Sequence, residues 1–146
     1  MPHLSIFAAC EKVIIDQAGV ASLITLFGKI TISLPPEALE MPPNAVTPRE
    51  WTIYSLWEWD PEDQGKRFSQ HLEIRWPNGT VLVEKRDELV RVADRRSTQI
   101  VSPIAGFPIG EPGMISIHLR LEQDETPVFE AAPIHIEVVH TPRPAQ

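Results

Sequence analysis

Four tryptophans and one tyrosine, gathered in and soon after residues 51–59, are the side chains of this chain best suited to bind something. The members of this aromatic group are Trp51, Tyr54, Trp57, Trp59 and Trp76. Aromatic rings in a groove can stack on a sugar or anchor a protein partner. They can also form a tryptophan-rich core, because Trp on a sandwich strand commonly fills the space between two sheets. A strand has two faces, so both roles can hold in one segment.

Alternation along residues 51–59 separates the two roles. One side carries four large residues, which are Trp51, Ile53, Trp57 and Trp59. This side buries more apolar area and is therefore expected to be the core face. Tyr54 and Leu56 are left as the contact face for a partner, unless the loop at 35–48 covers them. A sugar or small-ligand site would instead use Trp57, Trp59 and the acidic loop that follows.

An acidic cluster comes directly after the aromatic segment. It consists of Glu58, Asp60, Glu62 and Asp63, with Gly65 behind it. Crowded carboxylates in a loop are hard oxygen ligands of the kind that calcium requires. The spacing matches no calcium loop, so the cluster is predicted to be a solvated hairpin turn.

The histidines and the cysteine are weaker indications of chemistry. His118 and His135 are predicted at outward positions of two strands, with Glu137 near the second. Imidazoles on adjacent strands can bind zinc or move protons, but a zinc site needs a third ligand that the sequence does not name. Exposed strand histidines are therefore predicted, and the same is predicted for His71. Cys10 has neither a base nor a helix N-terminus near it, so a small buried apolar residue is expected.

The elements that must position these residues are strands. Apolar and polar residues alternate at 68–76, 113–121 and 134–138, as they do in strands with one buried and one wet face. The β-branched run at 20–34 is too long for a straight strand in a small sandwich. Gly28 is therefore predicted to form a bulge or a bend within it.

A hairpin is predicted at Asn78-Gly79, since this pair is the strongest short signal for a two-residue type I′ turn. In that register Trp76 lies opposite Val81 and Ile74 lies opposite Val83, all on the buried face.

These runs predict an all-β fold in a single domain that spans residues 1–146, with 141–146 as a frayed tail. Roughly seven to nine strands with turns at this spacing indicate a sandwich or a barrel. Long proline-rich crossings favour Greek-key connections. We therefore predict an antiparallel two-sheet β-sandwich, immunoglobulin-like or C2-like. The charged segment at 87–96 has some helical character but is too short to form a helix alone.

The composition restricts the partners and the compartment. The net charge is −7 in 146 residues, so neither nucleic acid nor an anionic membrane surface is expected as a partner. No run approaches ~18 apolar residues, and the start lacks the basic and apolar regions of a signal peptide. The single cysteine excludes an internal disulfide framework. A soluble, cytoplasmic protein is predicted.

Short motifs spread over most of the sequence resemble those of a known family. The residues that carry the likeness are Cys10-Glu11-Lys12-Val13-Ile14-Ile15-Asp16, Gly19, Ser22-Leu23-Ile24, Leu26-Phe27, Pro112-Gly113 and Pro133-Ile134-His135-Ile136. They are similar to a family of small uncharacterised bacterial β-sandwich proteins, a domain of unknown function, and the likeness spans most of the chain. The resemblance implies a bacterial, intracellular β-sandwich and supplies no functional residues.

These observations lead to one functional hypothesis and an alternative. No phosphate loop, dinucleotide fingerprint or nucleophile motif occurs, so no catalytic residue, metal or cofactor is expected. The apolar, two-faced strand at 51–59 favours a non-enzymatic protein-interaction module that uses a sheet face or edge, with another protein or a second copy as its partner. The alternative is a small-ligand or carbohydrate-binding domain with an aromatic platform. A more remote one, an enzyme, would use His118, His135 and Glu137.

Overall fold

Two β-sheets form the protein in the computed structural model, which describes residues 1–34 and 41–142. The strands in these ranges are β1 (His3–Ile15), β2 (Ala21–Leu26), β3 (Lys29–Leu34), β4 (Glu50–Glu58), β5 (Phe68–Arg75), β6 (Val81–Leu89), β7 (Ser97–Ala105), β8 (Gly113–Gln123), β9 (Thr126–Glu130) and β10 (Ile134–Pro142). A turn of 3-10 helix, Pro61–Asp63, lies between β4 and β5. Buried side chains from both sheets meet in one core, so the predicted two-sheet β-sandwich is confirmed.

The strands form one four-stranded sheet and one six-stranded sheet. The four-stranded sheet has the order β2-β1-β4-β7, and its neighbours are all antiparallel. The six-stranded sheet has the order β3-β10-β8-β5-β6, and β9 also pairs with β8. β3 and β10 run parallel. The described ranges therefore hold ten strands rather than the predicted seven to nine, and one pair is parallel.

The apolar run at 20–34 explains part of this difference. It divides into β2, which pairs with β1, and β3, which pairs with β10 in the other sheet. Gly28 lies where the chain passes between the sheets, and its carbonyl accepts a hydrogen bond from the Glu137 amide at 3.1 Å. Gly28 forms a bend, which is one of the two predicted forms, but this bend lies between strands of different sheets and not within one strand. The crossing between the sheets accommodates the length of the run.

The charged segment at 87–96 contains no helix. Its first residues complete β6, where Leu89 pairs with Phe68, and β7 begins soon afterwards at Ser97. Pairing along the whole of β5 satisfies the backbone groups of β6, and this outweighs a weak local preference for helix. Within the two described ranges, no helix has the length and apolar character needed to cross a membrane.

Two predicted irregular segments are described only in part. β10 continues to Pro142, so residues 141 and 142, which were predicted to belong to a frayed tail, lie in a strand instead. Residues 143–146 and 35–40 lie outside the described residues. The described part of the proline-rich loop is joined to the rest of the fold by a bridge between Val46 and Pro108.

The core fills the space between the sheets. The largest fully buried side chains are Trp51, Trp57, Phe107, Ile53, Leu72, Ile74, Leu89, Ile115, Ile117, Leu119, Leu121 and Ile136. Their positions follow the predicted alternation along β4, β5 and β8. Trp51 is fixed by a hydrogen bond from Nε1 to the Gly106 carbonyl (3.0 Å) and by the Phe107 ring, whose centroid lies 5.0 Å away.

Gln70 joins the two sheets by hydrogen bonds inside the core. Its Oε1 accepts a hydrogen bond from the Ser55 hydroxyl at 2.6 Å and another from Trp57 Nε1 at 2.7 Å. Ser55 and Trp57 belong to β4, whereas Gln70 belongs to β5 of the other sheet. All three residues are buried. The link therefore satisfies polar groups that would each cost about 1–3 kcal/mol if they were buried without a partner.

The hairpin between β5 and β6 has a different turn from the predicted one. The Gly79 amide donates to the Trp76 carbonyl at 2.8 Å, and the Trp76 amide donates to the Thr80 carbonyl at 2.9 Å. The central residues of the turn are therefore Pro77 and Asn78, followed by Gly79 with φ of +89°. Proline favours this arrangement because its ring presets the φ of the first central position. The predicted two-residue type I′ turn is wrong.

The register of the hairpin changes with the turn. Ile74 lies opposite Val83, as predicted. A bulge follows, so that Arg75 rather than Trp76 lies opposite Val81. The predicted pairing of Trp76 with Val81 is wrong for this reason.

Replacing Gly79 by Val is expected to lower the free energy of unfolding by about 1–3 kcal/mol, because a β-branched residue is strained at positive φ. No atom lies within 4 Å of a Cβ built at Gly79, so the cost is backbone strain rather than a clash. Gly79→Asn is the matched control and is expected to cost less, since Asn tolerates this conformation. Urea unfolding of both variants measures the difference, and equal losses would contradict the assigned turn.

Candidate functional site

Strand β4 places the predicted binding residues on opposite faces. Trp57 is fully buried between the sheets and Trp59 is only 8% exposed. Tyr54 and Leu56 lie on the other face, where Tyr54 is only 2% exposed and Leu56 is half-buried. The structure therefore does not bring the four residues into one site. Neither tryptophan offers an exposed platform on which a sugar could stack.

The tip of the β1–β2 hairpin lies over the outer face of β4. Gln99 of β7 donates from Nε2 to the Gly19 carbonyl at that tip (3.1 Å), and its Oε1 accepts a hydrogen bond from the Tyr54 hydroxyl (2.7 Å). Asp16 shapes the tip, because its Oδ1 accepts hydrogen bonds from two backbone amides of the loop, each at 2.9 Å. The face was expected to be covered by the loop at 35–48 or by a partner. The described part of that loop does not line it, and the hairpin covers it instead.

An open cleft of about 730 Å³ lies between the hairpin tip and the sheet. Ile6, Tyr54 and Leu56 form its floor. Residues from 17–23 of the hairpin form one wall, and residues from 90–99 form the other. A cleft of roughly 300–1,000 Å³ is the size that ordinarily holds a small ligand or part of a peptide.

Apolar side chains are exposed around this cleft. Fourteen large hydrophobic side chains are exposed in the described ranges. Eight of them lie in the cleft or on the hairpin strands, and these are Ile6, Val20, Val90, Val92, Ile14, Ile15, Ile24 and Leu26. Leu26 is 65% exposed. Exposed apolar side chains that gather on one side of a protein mark an interaction surface, whereas single scattered ones do not.

The charge of the cleft is positive. Arg95 and Arg96 line it and are exposed, and neither forms a salt bridge with a described residue. Among the described residues, the lining contains no His, Asp, Glu or Cys, so no acid–base pair of these residues faces the cleft. Burial raises the pKa of the Tyr54 phenol, which therefore stays protonated and donates to Gln99. The cleft thus combines an apolar floor with two cationic side chains.

The burial of His71 differs from the prediction. It lies on the outward face of β5, as predicted, but it is only 3% exposed. The register places it between Arg86 of β6 and Arg120 of β8. Long arginine side chains cover neighbouring surface with their apolar stems. The prediction of an exposed His71 is wrong because it considered one strand without its neighbours.

The structure does not join His118, His135 and Glu137 into one site. His135 lies opposite Ser116, and Nε2 of His118 lies 2.9 Å from the Ser116 hydroxyl oxygen. Burial lowers the pKa of His118, with a further contribution from Arg75, so the ring is neutral at pH 7. Among the described residues, the one group of three potential metal ligands contains none of these three.

The acidic loop after β4 forms the 3-10 turn, and one of its carboxylates is buried. Asp63 is fully buried, and its Oδ2 accepts a hydrogen bond from the Asp60 amide at 3.0 Å. A turn is present, but the predicted hairpin is wrong, because β4 and β5 belong to different sheets and do not pair. The predicted solvated character applies only to exposed members such as Glu58 and Glu62. Cys10 is buried, as predicted, and burial raises the pKa of its thiol.

The walls of the cleft were missed by sequence reasoning. Alternation along β4 identified Tyr54 and Leu56. No local pattern indicates that Gly19 contacts Gln99, which lies 80 residues later in the chain. No local pattern places Arg95 beside the same cleft either.

Comparison with known proteins leaves the site to be interpreted from its own geometry. No family model and no curated protein matches this chain. The resemblance to a family of small uncharacterised bacterial proteins stays a prediction.

Proposed function

We propose that the protein is a non-enzymatic interaction module whose cleft receives an extended segment of another protein. The observation that carries this proposal is the cleft of about 730 Å³, with its apolar floor and with two arginines that form no salt bridge within the described residues. The described part of the lining offers hydrogen-bonding and cationic groups but no carboxylate or imidazole for proton transfer, which supports binding over catalysis. We also place this function in the bacterial cytoplasm, in line with the resemblance and with a single buried cysteine.

The lining indicates the chemistry of the partner segment. Aliphatic or aromatic side chains of the partner would pack on Ile6 and Leu56, which form the floor. Carboxylates beside them would pair with Arg95 and Arg96, because guanidinium groups bind carboxylates through paired hydrogen bonds. The chain has a net charge of −7, so most of its surface repels an acidic segment. The two arginines would therefore direct such a segment to the cleft.

A small-ligand role is the second candidate, and the volume of the cleft favours it. About 730 Å³ is enough for one drug-sized molecule. A sugar fits poorly, because Trp57 and Trp59, which would have stacked on it, are buried. A small apolar carboxylate would use the same groups as the peptide.

Panning a displayed random-peptide library against the protein is expected to enrich sequences that combine apolar residues with Asp or Glu. Replacing Arg95 and Arg96 together by Glu is expected to weaken binding of a synthetic enriched peptide about tenfold or more, because charge-assisted hydrogen bonds are replaced by repulsion. Fluorescence anisotropy measures both affinities. Both arginines are exposed, so the fold should be retained.

The matched control changes Lys66 and Arg67 to Glu, since these neighbouring cations are exposed and lie outside the cleft. The control is expected to keep the affinity of the native chain. Equal loss in both double variants, or a library that enriches no apolar acidic sequence, would contradict the proposal. Tight binding of a fluorescent fatty acid without any peptide binding would favour the small-ligand role.

A further inference from the structure

The outer face of the six-stranded sheet holds a compact group of potential metal ligands. His71 and Glu73 are two residues apart on β5 and so share this face, and Glu84 of β6 lies directly opposite Glu73. One potential ligand atom from each residue lies within 4.8 Å of those of the other two. In the described ranges, this is the one group of three His, Cys, Asp or Glu residues with that property.

Existing contacts leave an oxygen of Glu73 available to a metal. Arg75 donates to Glu73 Oε2 from both Nε, at 3.0 Å, and Nη2, at 2.7 Å. Oε1 of Glu73 is left for coordination, and the arginine acts as the outer contact that ordinarily orients a ligating carboxylate. Oε1 of Glu84 lies 2.5 Å from Nε2 of His71. This hydrogen bond holds the two groups together, and a metal ion can bind both once it replaces the shared proton and the two atoms move apart.

The local charge also favours a cation. Four carboxylates, Glu73, Glu84, Glu122 and Glu130, share this part of the face with three arginines, Arg75, Arg86 and Arg120. Glu122 is 2% exposed, and its carboxylate accepts a hydrogen bond from Arg120 at 2.8 Å and lies 3.1 Å from Arg86. It therefore offsets one of the two positive charges that flank His71, and Glu130, which lies opposite Arg120, offsets the other. Glu73 and Glu84 together outweigh the charge of Arg75.

We propose that His71, Glu73 and Glu84 bind one divalent transition-metal ion, and that zinc is the ion best suited to them. Imidazole nitrogen and carboxylate oxygen are both zinc ligands, whereas calcium and magnesium take oxygen ligands. Three protein ligands leave a fourth position for water or for a group from a partner. His71 and the two carboxylates thus provide the three protein ligands of a zinc site, which could not be named for His118 and His135. The site lies on the opposite sheet from the cleft and does not depend on the proposed binding role.

Zinc chloride alone is the probe, and isothermal titration calorimetry on the full chain is the measurement. The native chain is expected to bind one zinc ion per molecule and to melt several degrees higher with zinc than with EDTA, because binding to the folded state stabilises it. Calcium at the same concentration is expected to leave the melting temperature unchanged. Glu84→Gln is the decisive variant, since Glu84 is 60% exposed and its removal leaves the core intact. It is expected to weaken zinc binding about tenfold or more.

Glu137→Gln is the matched control, because Glu137 is an exposed carboxylate on β10 of the same sheet and lies outside the group. It is expected to keep the zinc affinity of the native chain. Long-range ¹H–¹⁵N spectra of the imidazoles identify the ligand, and zinc should shift the signals of His71 while leaving those of His118 and His135 in place. Absence of zinc binding, equal weakening in both variants, or shifts confined to the other histidines, as an adventitious ion would give, would overturn the proposal.

Discussion

Replacing Trp57 by Ala is expected to lower the free energy of unfolding by about 3–5 kcal/mol, the largest effect of any single change in the core considered for this protein. Trp57 is fully buried, and its ring packs edge-on against Phe129 with centroids 6.1 Å apart. Truncation to Ala removes this contact area and leaves a cavity between two sheets that can collapse only partially. It also removes the donor that Gln70 accepts from inside the core.

Urea unfolding followed by circular dichroism measures the effect of the Trp57 change. Trp57→Phe is the graded variant, because it keeps most of the ring and loses mainly the Nε1 hydrogen bond, so it should cost less than Trp57→Ala. Trp76→Ala is the positional control, since Trp76 is only half-buried beside the β5–β6 hairpin. Equal losses in the Trp57 and Trp76 variants would contradict the assignment of Trp57 to the core. If Trp57→Ala does not fold, the comparison of Trp57→Phe with Trp76→Ala still decides the question.

The sequence was sufficient to predict burial where alternation alone decides the direction of a side chain. Along β5 the residues at every second position from Phe68 to Ile74 are buried, with His71 as the one buried residue between them. The same alternation holds from Ile115 to Leu121, because a register that buries the wrong face would expose the whole apolar set. The division of 51–59 into a core side with Trp57 and an outer side with Tyr54 follows from the same rule. Each of these predictions needed only neighbours along one strand.

The sequence was insufficient where the outcome depends on which strands meet. β3 pairs with β10, more than a hundred residues away along the chain, so the run at 20–34 could not be seen to divide between two sheets. The prediction of a type I′ turn at Asn78-Gly79 is wrong for a more local reason. Pro77 offered an alternative turn that the two-residue signal did not consider. Competing local preferences of similar strength cannot be ranked by pattern alone.

The candidate sites could likewise be predicted from the sequence only in part. The floor of the cleft is a property of β4 and could be predicted, whereas its walls exist because the β1–β2 hairpin carries Gly19 over Gln99. The group on the other sheet was missed because the burial of His71 comes from arginines on the strands at either side. Both candidate sites therefore consist of side chains that only the pairing of strands brings together.

Replacing Gln70 by Leu is expected to lower the free energy of unfolding by about 2–5 kcal/mol, although leucine is the more apolar residue. The change leaves the Ser55 hydroxyl and Trp57 Nε1 buried without their acceptor, and each orphaned donor costs about 1–3 kcal/mol. Ser55→Ala alone is expected to cost only about 1 kcal/mol, because Gln70 keeps its hydrogen bond from Trp57. Thermal and urea unfolding of the single variants measure these two losses.

The double variant with Gln70→Leu and Ser55→Ala is the informative one. It removes the acceptor and one of the two donors together, so it should lose less stability than the sum of the single changes, by about 1 kcal/mol. Ser102→Ala is the matched control, since Ser102 is also a buried serine of the four-stranded sheet but its hydroxyl has no hydrogen-bond partner among the described residues. Removing an unpaired buried hydroxyl should be neutral or stabilising. Strict additivity in the double variant would contradict a stabilising hydrogen bond between Ser55 and Gln70, and the link between the sheets at this point would then depend on Trp57 and on apolar packing.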